Sequence, residues 1–227
     1  GLSRQPSGSR SPEQSVFPRA LGSRWPEDVS NPSAFAYVGV GSNIQPANNV
    51  CWALESLSEK PGITVTGIST FYWTAPLSDP NRAVLLPEGG GPDPDPDFLN
   101  GVLEIRTFLT PENLLMLFAG IENALGRVRR GNAYAPRTID LDLLLYGLVE
   151  SGGGPARWES IGDDGSEAHR DIFRRAFVAC PLMELSPDLI LPPHQVPIRA
   201  LATSFDSPGG KPERILTQEW RRRFLPS

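Results

Sequence analysis

Phe98-Leu99-Asn100-Gly101-Val102-Leu103-Glu104-Ile105-Arg106-Thr107-Phe108-Leu109-Thr110-Pro111 runs a long strand straight into a helix start. Phe98 to Phe108 has the apolar, β-branched and aromatic make-up of a strand. Thr110 offers a hydroxyl N-cap, and Pro111 suits the first helical position, where an N–H has no intrahelical partner anyway. Leu114, Leu117, Phe118, Ile121 and Leu125 recur at helical spacing until Gly126 ends the pattern. Toward the N-terminus, Ile63 to Tyr72 alternates as a strand, with Gly67 marking a bulge. Ahead of it, Pro46 opens a helix with the stripe Val50, Ala53, Leu54 and Leu57, stopped by Pro61-Gly62. Ala34 to Val40 reads as a buried strand, turned by Gly41-Ser42-Asn43, and Ile139 to Tyr146 reads as another. The order β-α-β-β-α-β predicts an α+β, ferredoxin-like core. Residues 171–185 read as a helix interrupted near Pro181, 197–203 as a short helix, and the rest of the C-terminal part as mostly irregular.

Composition bounds the function. The chain has 227 residues, with 21 Lys and Arg against 26 Asp and Glu, a formal charge of −5. An acidic balance argues against a general nucleic-acid binder, which needs a basic footprint. No run approaches the roughly 18 apolar residues of a membrane span. Two distant cysteines, Cys51 and Cys180, are not a disulfide framework and point to a reducing cytoplasm. The 22 Gly and 24 Pro fall mainly in 1–33, 76–96, 151–165 and 192–211. The first of these reads as a tail, a linker or a targeting segment, and 34–227 as the functional domain. The second is longer than an ordinary connection and reads as a functional lid or a disordered segment.

The chemistry concentrates around Arg137-Thr138-Ile139-Asp140-Leu141-Asp142. On a strand, Asp140 and Asp142 project side by side while Ile139, Leu141 and Leu143 turn to the core. Paired carboxylates repel unless a cation lies between them, and Mg²⁺ is a hard cation that binds through one or two carboxylates and phosphate oxygens. A solvated sheet edge is the plainer reading of an Asp-x-Asp triplet. The neighbourhood favours the first: Arg127, Arg129, Arg130 and Arg137 lie within eleven positions, and guanidinium groups grip phosphate oxygens bidentately. The polar stretch 127–136 reads as a mobile arm. His169, with Arg170, Arg174 and Arg175, follows a Gly-rich loop and could donate to phosphate. Phe98 and Asn100 share a strand face, and Phe177 lies on the later helix. Two rings can sandwich a flat heterocycle while an amide meets its edge. No G-x-x-x-x-G-K-[ST] or G-x-G-x-x-G loop, zinc spacing or G-x-S-x-G elbow occurs.

Taken in order, Ala36-Tyr37-Val38-Gly39-Val40-Gly41-Ser42-Asn43, Phe71-Tyr72-Trp73-Thr74-Ala75-Pro76, Asp97-Phe98-Leu99-Asn100, Gly126-Arg127-Val128-Arg129 and Pro136-Arg137-Thr138-Ile139-Asp140-Leu141-Asp142-Leu143 resemble the 6-hydroxymethyl-7,8-dihydropterin pyrophosphokinases of folate synthesis. The resemblance spans about 34 to about 192. It implies transfer of the β,γ-pyrophosphoryl group of ATP to the pterin hydroxymethyl oxygen, with AMP leaving. It further implies two Mg²⁺ ions on Asp140 and Asp142, and catalytic roles for Arg127, Arg129, Arg137 and His169. Glu122, Tyr134, Leu143 and Arg175 would lie on the nucleotide side. Thr74, Ala75, Pro76, Leu77, Phe98, Asn100 and Phe177 would hold the pterin. Partners would be the pterin, ATP and a neighbouring folate-pathway enzyme, with no nucleic acid and no membrane. A ferredoxin-like binding or regulatory module without catalysis is the alternative, and the pairing of Asp140 with Asp142 argues against it. The sequence departs from the resemblance at Ala168-His169-Arg170, where Pro-His-Pro is usual, and at Tyr134, where tryptophan is frequent.

Overall fold

A computed structural model describes residues 34–76, 96–126, 137–148, 157–162 and 164–226. The segments 1–33, 77–95, 127–136 and 149–156 lie outside it, so the expectations for the tail, for most of the 76–96 lid and for the 127–136 arm concern residues beyond those described. Strand β1 (Ala34–Ser42), helix α1 (Pro46–Ser58), strands β2 (Ile63–Ile68), β3 (Phe71–Thr74) and β4 (Phe98–Thr107), helix α2 (Pro111–Ala124) and strand β5 (Asp140–Leu148) follow in that order. The βαββαβ expectation is met, with the second strand split in two.

The local signals act as expected. Thr110 caps α2, its Oγ1 accepting from the Asn113 N–H at 3.4 Å, and Pro111 opens the helix. Pro46 opens α1. The β2–β4 register slips between Val65 and Gly67, so the bulge forms next to the glycine, with Thr66 as the extra residue. The split between β2 and β3 has a side-chain cause. Ser69 Oγ accepts from the Val102 N–H at 2.9 Å, so a hydroxyl takes the ladder position that a strand carbonyl would otherwise fill.

The sheet is antiparallel, ordered β6-β5-β1-β4-β3-β9, with β2 also on β4. Here β6 is Arg157–Trp158 and β9 is Lys211–Glu213. Alternation sorts the side chains. Ala36, Val38 and Val40 of β1 and Leu141 and Leu143 of β5 enter a core with α1 and α2. Tyr37, Val102 and Leu144 face a second core with helix α3 (Ala176–Leu185) and, beyond the β7 (Ile190–Leu191) and β8 (Val196–Pro197) hairpin, helix α4 (Ile198–Thr203). The β1–β5 register shifts at Tyr37/Val38, leaving Leu144 as an extra residue on β5. Leu144 and Leu145 consequently belong to the same core, where strict alternation would separate them.

The C-terminal part corrects the sequence expectation. Residues 211–224 are regular: β9 joins the sheet edge, and helix α5 (Arg214–Phe224) packs Trp220 into the first core. The helix expected over 171–185 begins later, at Ala176, behind a 3-10 turn at Arg170–Ile172. Among the described residues no helix is long and apolar enough to cross a membrane.

Candidate active site

Three neighbours fix β5 along the edge that faces away from β1. Glu122 Oε1 of α2 accepts the Leu141 N–H at 3.0 Å, standing in for an absent strand carbonyl. The His169 N–H donates to the Leu144 carbonyl at 2.9 Å, and the Glu159 N–H to the Tyr146 carbonyl at 3.0 Å. These contacts bring His169, 27 or more positions downstream of the Asp pair in sequence, next to the strand that carries Asp140 and Asp142.

The Gly41-Ser42-Asn43 turn anchors the start of the same strand. Asn43 Oδ1 accepts the Arg137 N–H at 2.7 Å, and the Asn43 N–H donates to the Arg137 carbonyl at 3.1 Å. Ser42 Oγ donates to the Thr138 carbonyl at 2.6 Å. Asn43 also donates from Nδ2 to the Pro96 carbonyl at 3.3 Å, tying in the approach to β4. This motif therefore holds together the two segments that carry the aspartates and the Phe98–Asn100 pair.

On the α3 face of the sheet these segments enclose a cavity of about 360 Å³, within the range of small-molecule sites. Arg137, Asp140, Asp142, His169 and Arg175 line one part. Thr74, Ala75, Pro76, Phe98, Asn100 and Phe177 line another. Eleven of the expected site residues thus share one cavity. Leu77, Arg127, Arg129 and Tyr134 lie outside the described residues.

Glu122 and Leu143 are not among the residues that line the cavity. Leu143 is 3% exposed and sits in the helix-side core, because the period of two turns it away from Asp142. Glu122 is 2% exposed on the same side and holds the β5 backbone. Glu122→Gln is expected to keep the acceptor and most of the stability, whereas Glu122→Ala should cost about 1–3 kcal/mol by orphaning a buried N–H; denaturant midpoints of the two variants check this. One acid was not anticipated: Asp171 also lines the cavity. Its signal was adjacency to His169 in the His-Arg-Asp run.

The electrostatics of the polar part are those of an anion-and-cation site. Burial pushes the Asp142 carboxyl well above the usual carboxylate range, and the charges of Asp140, Asp171 and Glu122 push it further, against the pull of Arg137. Arg137 pairs with Asp140. A carboxylate desolvated beside another gains from a cation between them. Among the described residues no group of three or more His, Cys, Asp or Glu side chains is placed to hold a metal. The donor set is two hard carboxylates, which fits Mg²⁺ whose remaining positions are filled by phosphate oxygens and water. Arg175 makes the complementary demand: its Nε is buried with no hydrogen-bond partner, which suits an incoming anion. Burial lowers the His169 pKa, so the ring is neutral at pH 7. Its Nδ1 accepts from the Asp171 N–H at 3.3 Å, leaving Nε2–H as a donor.

The other part suits a flat heterocycle. Asn100 Nδ2 donates to Thr74 Oγ1 at 2.8 Å, which fixes the amide plane across the β3–β4 pair. The amide lies over Gly41, where a Cβ would come within 2.6 Å of Asn100 Oδ1. Glycine is needed there for close approach.

A ferredoxin-like sheet bearing paired carboxylates, a guanidinium with a buried, unpartnered Nε and an aromatic- and amide-lined recess, with no Gly-rich phosphate loop, has the groups that a phosphoryl-transfer enzyme needs. The family model of 7,8-dihydro-6-hydroxymethylpterin-pyrophosphokinase (HPPK) matches residues 37–187, and the chain belongs to that family. Among its relatives, the 2-amino-4-hydroxy-6-hydroxymethyldihydropteridine pyrophosphokinase of Methylorubrum extorquens is 38% identical over 158 residues, 69% of this chain and 85% of the relative. The enzyme of the same name from Haemophilus influenzae is 35% identical over 163 residues, 71% of this chain and 87% of the relative. The Schizosaccharomyces pombe folic acid synthesis protein fol1 is 32% identical over 181 residues, 79% of this chain but 22% of that protein. The solved Plasmodium falciparum HPPK-DHPS with pteroate shares the fold at a TM-score of 0.50 and 14% identity, over 75% of this chain and 42% of that one.

Proposed function

We infer that the chain transfers the pyrophosphoryl group of ATP to the hydroxymethyl group of 6-hydroxymethyl-7,8-dihydropterin in folate biosynthesis, releasing AMP. One observation carries the reading: the Asp140–Asp142 pair and the Phe98–Asn100–Phe177 recess open into one cavity, so a phosphate chain and a flat ring can meet there. Residues 34–227 are proposed as the unit that does this.

In the reaction, the hydroxymethyl oxygen bonds to the β-phosphorus as the bond from the β-phosphorus to the α–β bridging oxygen breaks. AMP leaves, and the hydroxyl proton is released. Phosphoryl transfer asks the protein for positioning and charge neutralisation rather than covalent chemistry. Asp140 and Asp142 would hold Mg²⁺, in two ions by our reading, and the metal would neutralise phosphate charge. Arg175 and His169 Nε2–H would bind phosphate oxygens. Arg137 would hold Asp140 in place and face the same charge. Arg127, Arg129 and Tyr134 are proposed to close on the nucleotide, and Leu77 to complete the pterin wall. Phe98 and Phe177 would bracket the pterin, with Asn100, Thr74, Ala75 and Pro76 at its edge. The partial coverage of fol1 and of HPPK-DHPS supports a neighbouring folate-pathway enzyme as a partner.

The test is incubation of the purified chain with ATP, Mg²⁺ and the pterin, followed by nucleotide analysis. AMP that depends on both pterin and Mg²⁺ supports the reading. Binding of both ligands with no AMP overturns it in favour of a non-catalytic module. Gly41→Ala adds a sharper expectation. The new methyl displaces the Asn100 amide, a flexible group, rather than backbone. The pterin KM should rise about tenfold or more with the ATP KM little changed.

A further inference from the structure

The family match ends at residue 187, yet the segment 207–224 beyond it lies against both walls of the pterin recess. Strand β9 pairs with β3 through Phe71↔Glu213, Tyr72↔Pro212 and Trp73↔Lys211. Side chains reinforce the pairing. Trp73 Nε1 donates to Glu213 Oε2 at 3.0 Å. The Phe71 N–H donates to Thr217 Oγ1 at 3.1 Å. The Trp220 ring meets the Phe71 ring edge to face at 5.1 Å. Strand β3 ends on Thr74 and continues directly into Ala75 and Pro76, all three in the cavity wall.

The opposite wall is held by the same segment. Gly209 has φ of +84°, and its side-chain position faces Ala176 Cβ and the Phe177 N at 3.5 Å. Gly210 lies flat on β3: a Cβ there would sit 2.1 Å from the Trp73 carbonyl oxygen and 2.9 Å from Thr74 Cγ2. A backbone oxygen cannot swing aside, so any side chain at 210 must push the two segments apart. Farther along, Arg221 donates from Nε to the Ile68 carbonyl at 2.8 Å and from Nη2 to Glu184 Oε1 of α3 at 2.7 Å. Glu184 in turn accepts the Thr70 N–H at 2.9 Å. The extension therefore spans from the β2–β3 junction to both ends of α3.

We propose that the 207–224 extension is a positioning element for the pterin, with Gly210 and Thr217 as positioning residues that set the spacing between the Thr74–Pro76 wall and Phe177. The proposal rests on the pyrophosphokinase reading of the cavity. Neither residue is among the lining groups, so each acts through β3. The aspartates stand on β5, on the far side of β1 and β4 from β3, so the effect falls on the pterin rather than on ATP.

The test compares steady-state kinetics and melting of the full chain with those of Gly210→Ala and Thr217→Val. Thr217→Val keeps the volume and removes the hydroxyl that accepts from the Phe71 N–H and donates to the Glu213 carbonyl of β9. Arg223→Ala serves as the control, since Arg223 pairs with Glu55 of α1 away from the cavity. For Gly210→Ala the pterin KM should rise about tenfold, and for Thr217→Val by a smaller factor, with the ATP KM within about twofold in both. A loss of folded protein alone would lower apparent kcat and leave both KM values in place. The proposal fails if the wild-type chain makes AMP while Thr217→Val, and Gly210→Ala where it folds, keep the wild-type pterin KM, or raise both KM values equally. Absence of AMP from the wild-type chain would instead sink the functional reading.

Discussion

Asp142→Asn should lower kcat by roughly 10³-fold or more while leaving the protein folded. The two effects have one origin. Asp142 is desolvated and surrounded by Asp140, Asp171 and Glu122, a placement that costs stability in the absence of a cation. The neutral amide relieves that repulsion, so Tm should hold or rise, by about 2–4 °C for each kcal/mol relieved in a chain of this size. The same amide is a poor ligand for a hard cation. A variant that melts well below wild type would show that Asp142 is a structural carboxylate. A variant with near-normal kcat would remove it from the metal site.

Arg175→Met is the second large effect. Its Nε is buried without a partner in the cavity that the aspartates also line, so a full positive charge waits for an anion. Removing it should lower kcat/KM for ATP by roughly 10²–10³-fold, as expected for a guanidinium that neutralises phosphate charge. Stability should not fall, because no protein hydrogen bond to Nε is lost. Arg175→Lys should recover only part of the activity, since an ammonium keeps the charge but not the planar fork. Kinetics on both variants with ATP varied at saturating pterin checks the point. Full activity in Arg175→Lys would mean that charge alone is used.

Much of this was legible in the sequence because the signals were local. Thr110-Pro111 starts α2 through a cap and a fixed φ, and the period of two places Asp140 and Asp142 together. The same period assigned Leu143 to the core, against the ligand role that the family resemblance gave it. The split between β2 and β3 was not legible, because it depends on a Ser69 hydroxyl meeting Val102, 33 positions away. Helix α5 escaped for a different reason. It starts on Glu213, whose carboxylate accepts from the Ile215 and Leu216 N–H groups, and glutamate is not a favoured cap residue. Its run Arg221-Arg222-Arg223 reads as surface, and its buried face is carried by only Thr217 and Trp220. Strand β9 has just three residues, one of them Pro212, so it exists only through its pairing with β3.

The site divided in the same way. The aspartates and the Phe98–Asn100 pair follow from strand alternation alone. His169, Arg175 and Phe177 do not. They reach the cavity because the His169 N–H caps the Leu144 carbonyl and the 3-10 turn then delivers α3, a tertiary arrangement with no local sequence signature. Sequence position marked His169 and Phe177 only as weak candidates, and the family resemblance alone gave Arg175 a role. Glu122 shows the converse: the resemblance named it, and the structure gives it a backbone-holding position behind the strand.

The central claim is the transfer of a two-phosphorus unit to the pterin at this cavity. Phosphorus-31 NMR of the pterin product, made from ATP by the wild-type chain, tests it most directly. The account predicts two coupled phosphorus resonances on the pterin and a single phosphorus on the leaving nucleotide, AMP. A product with one phosphorus, together with ADP, would contradict it.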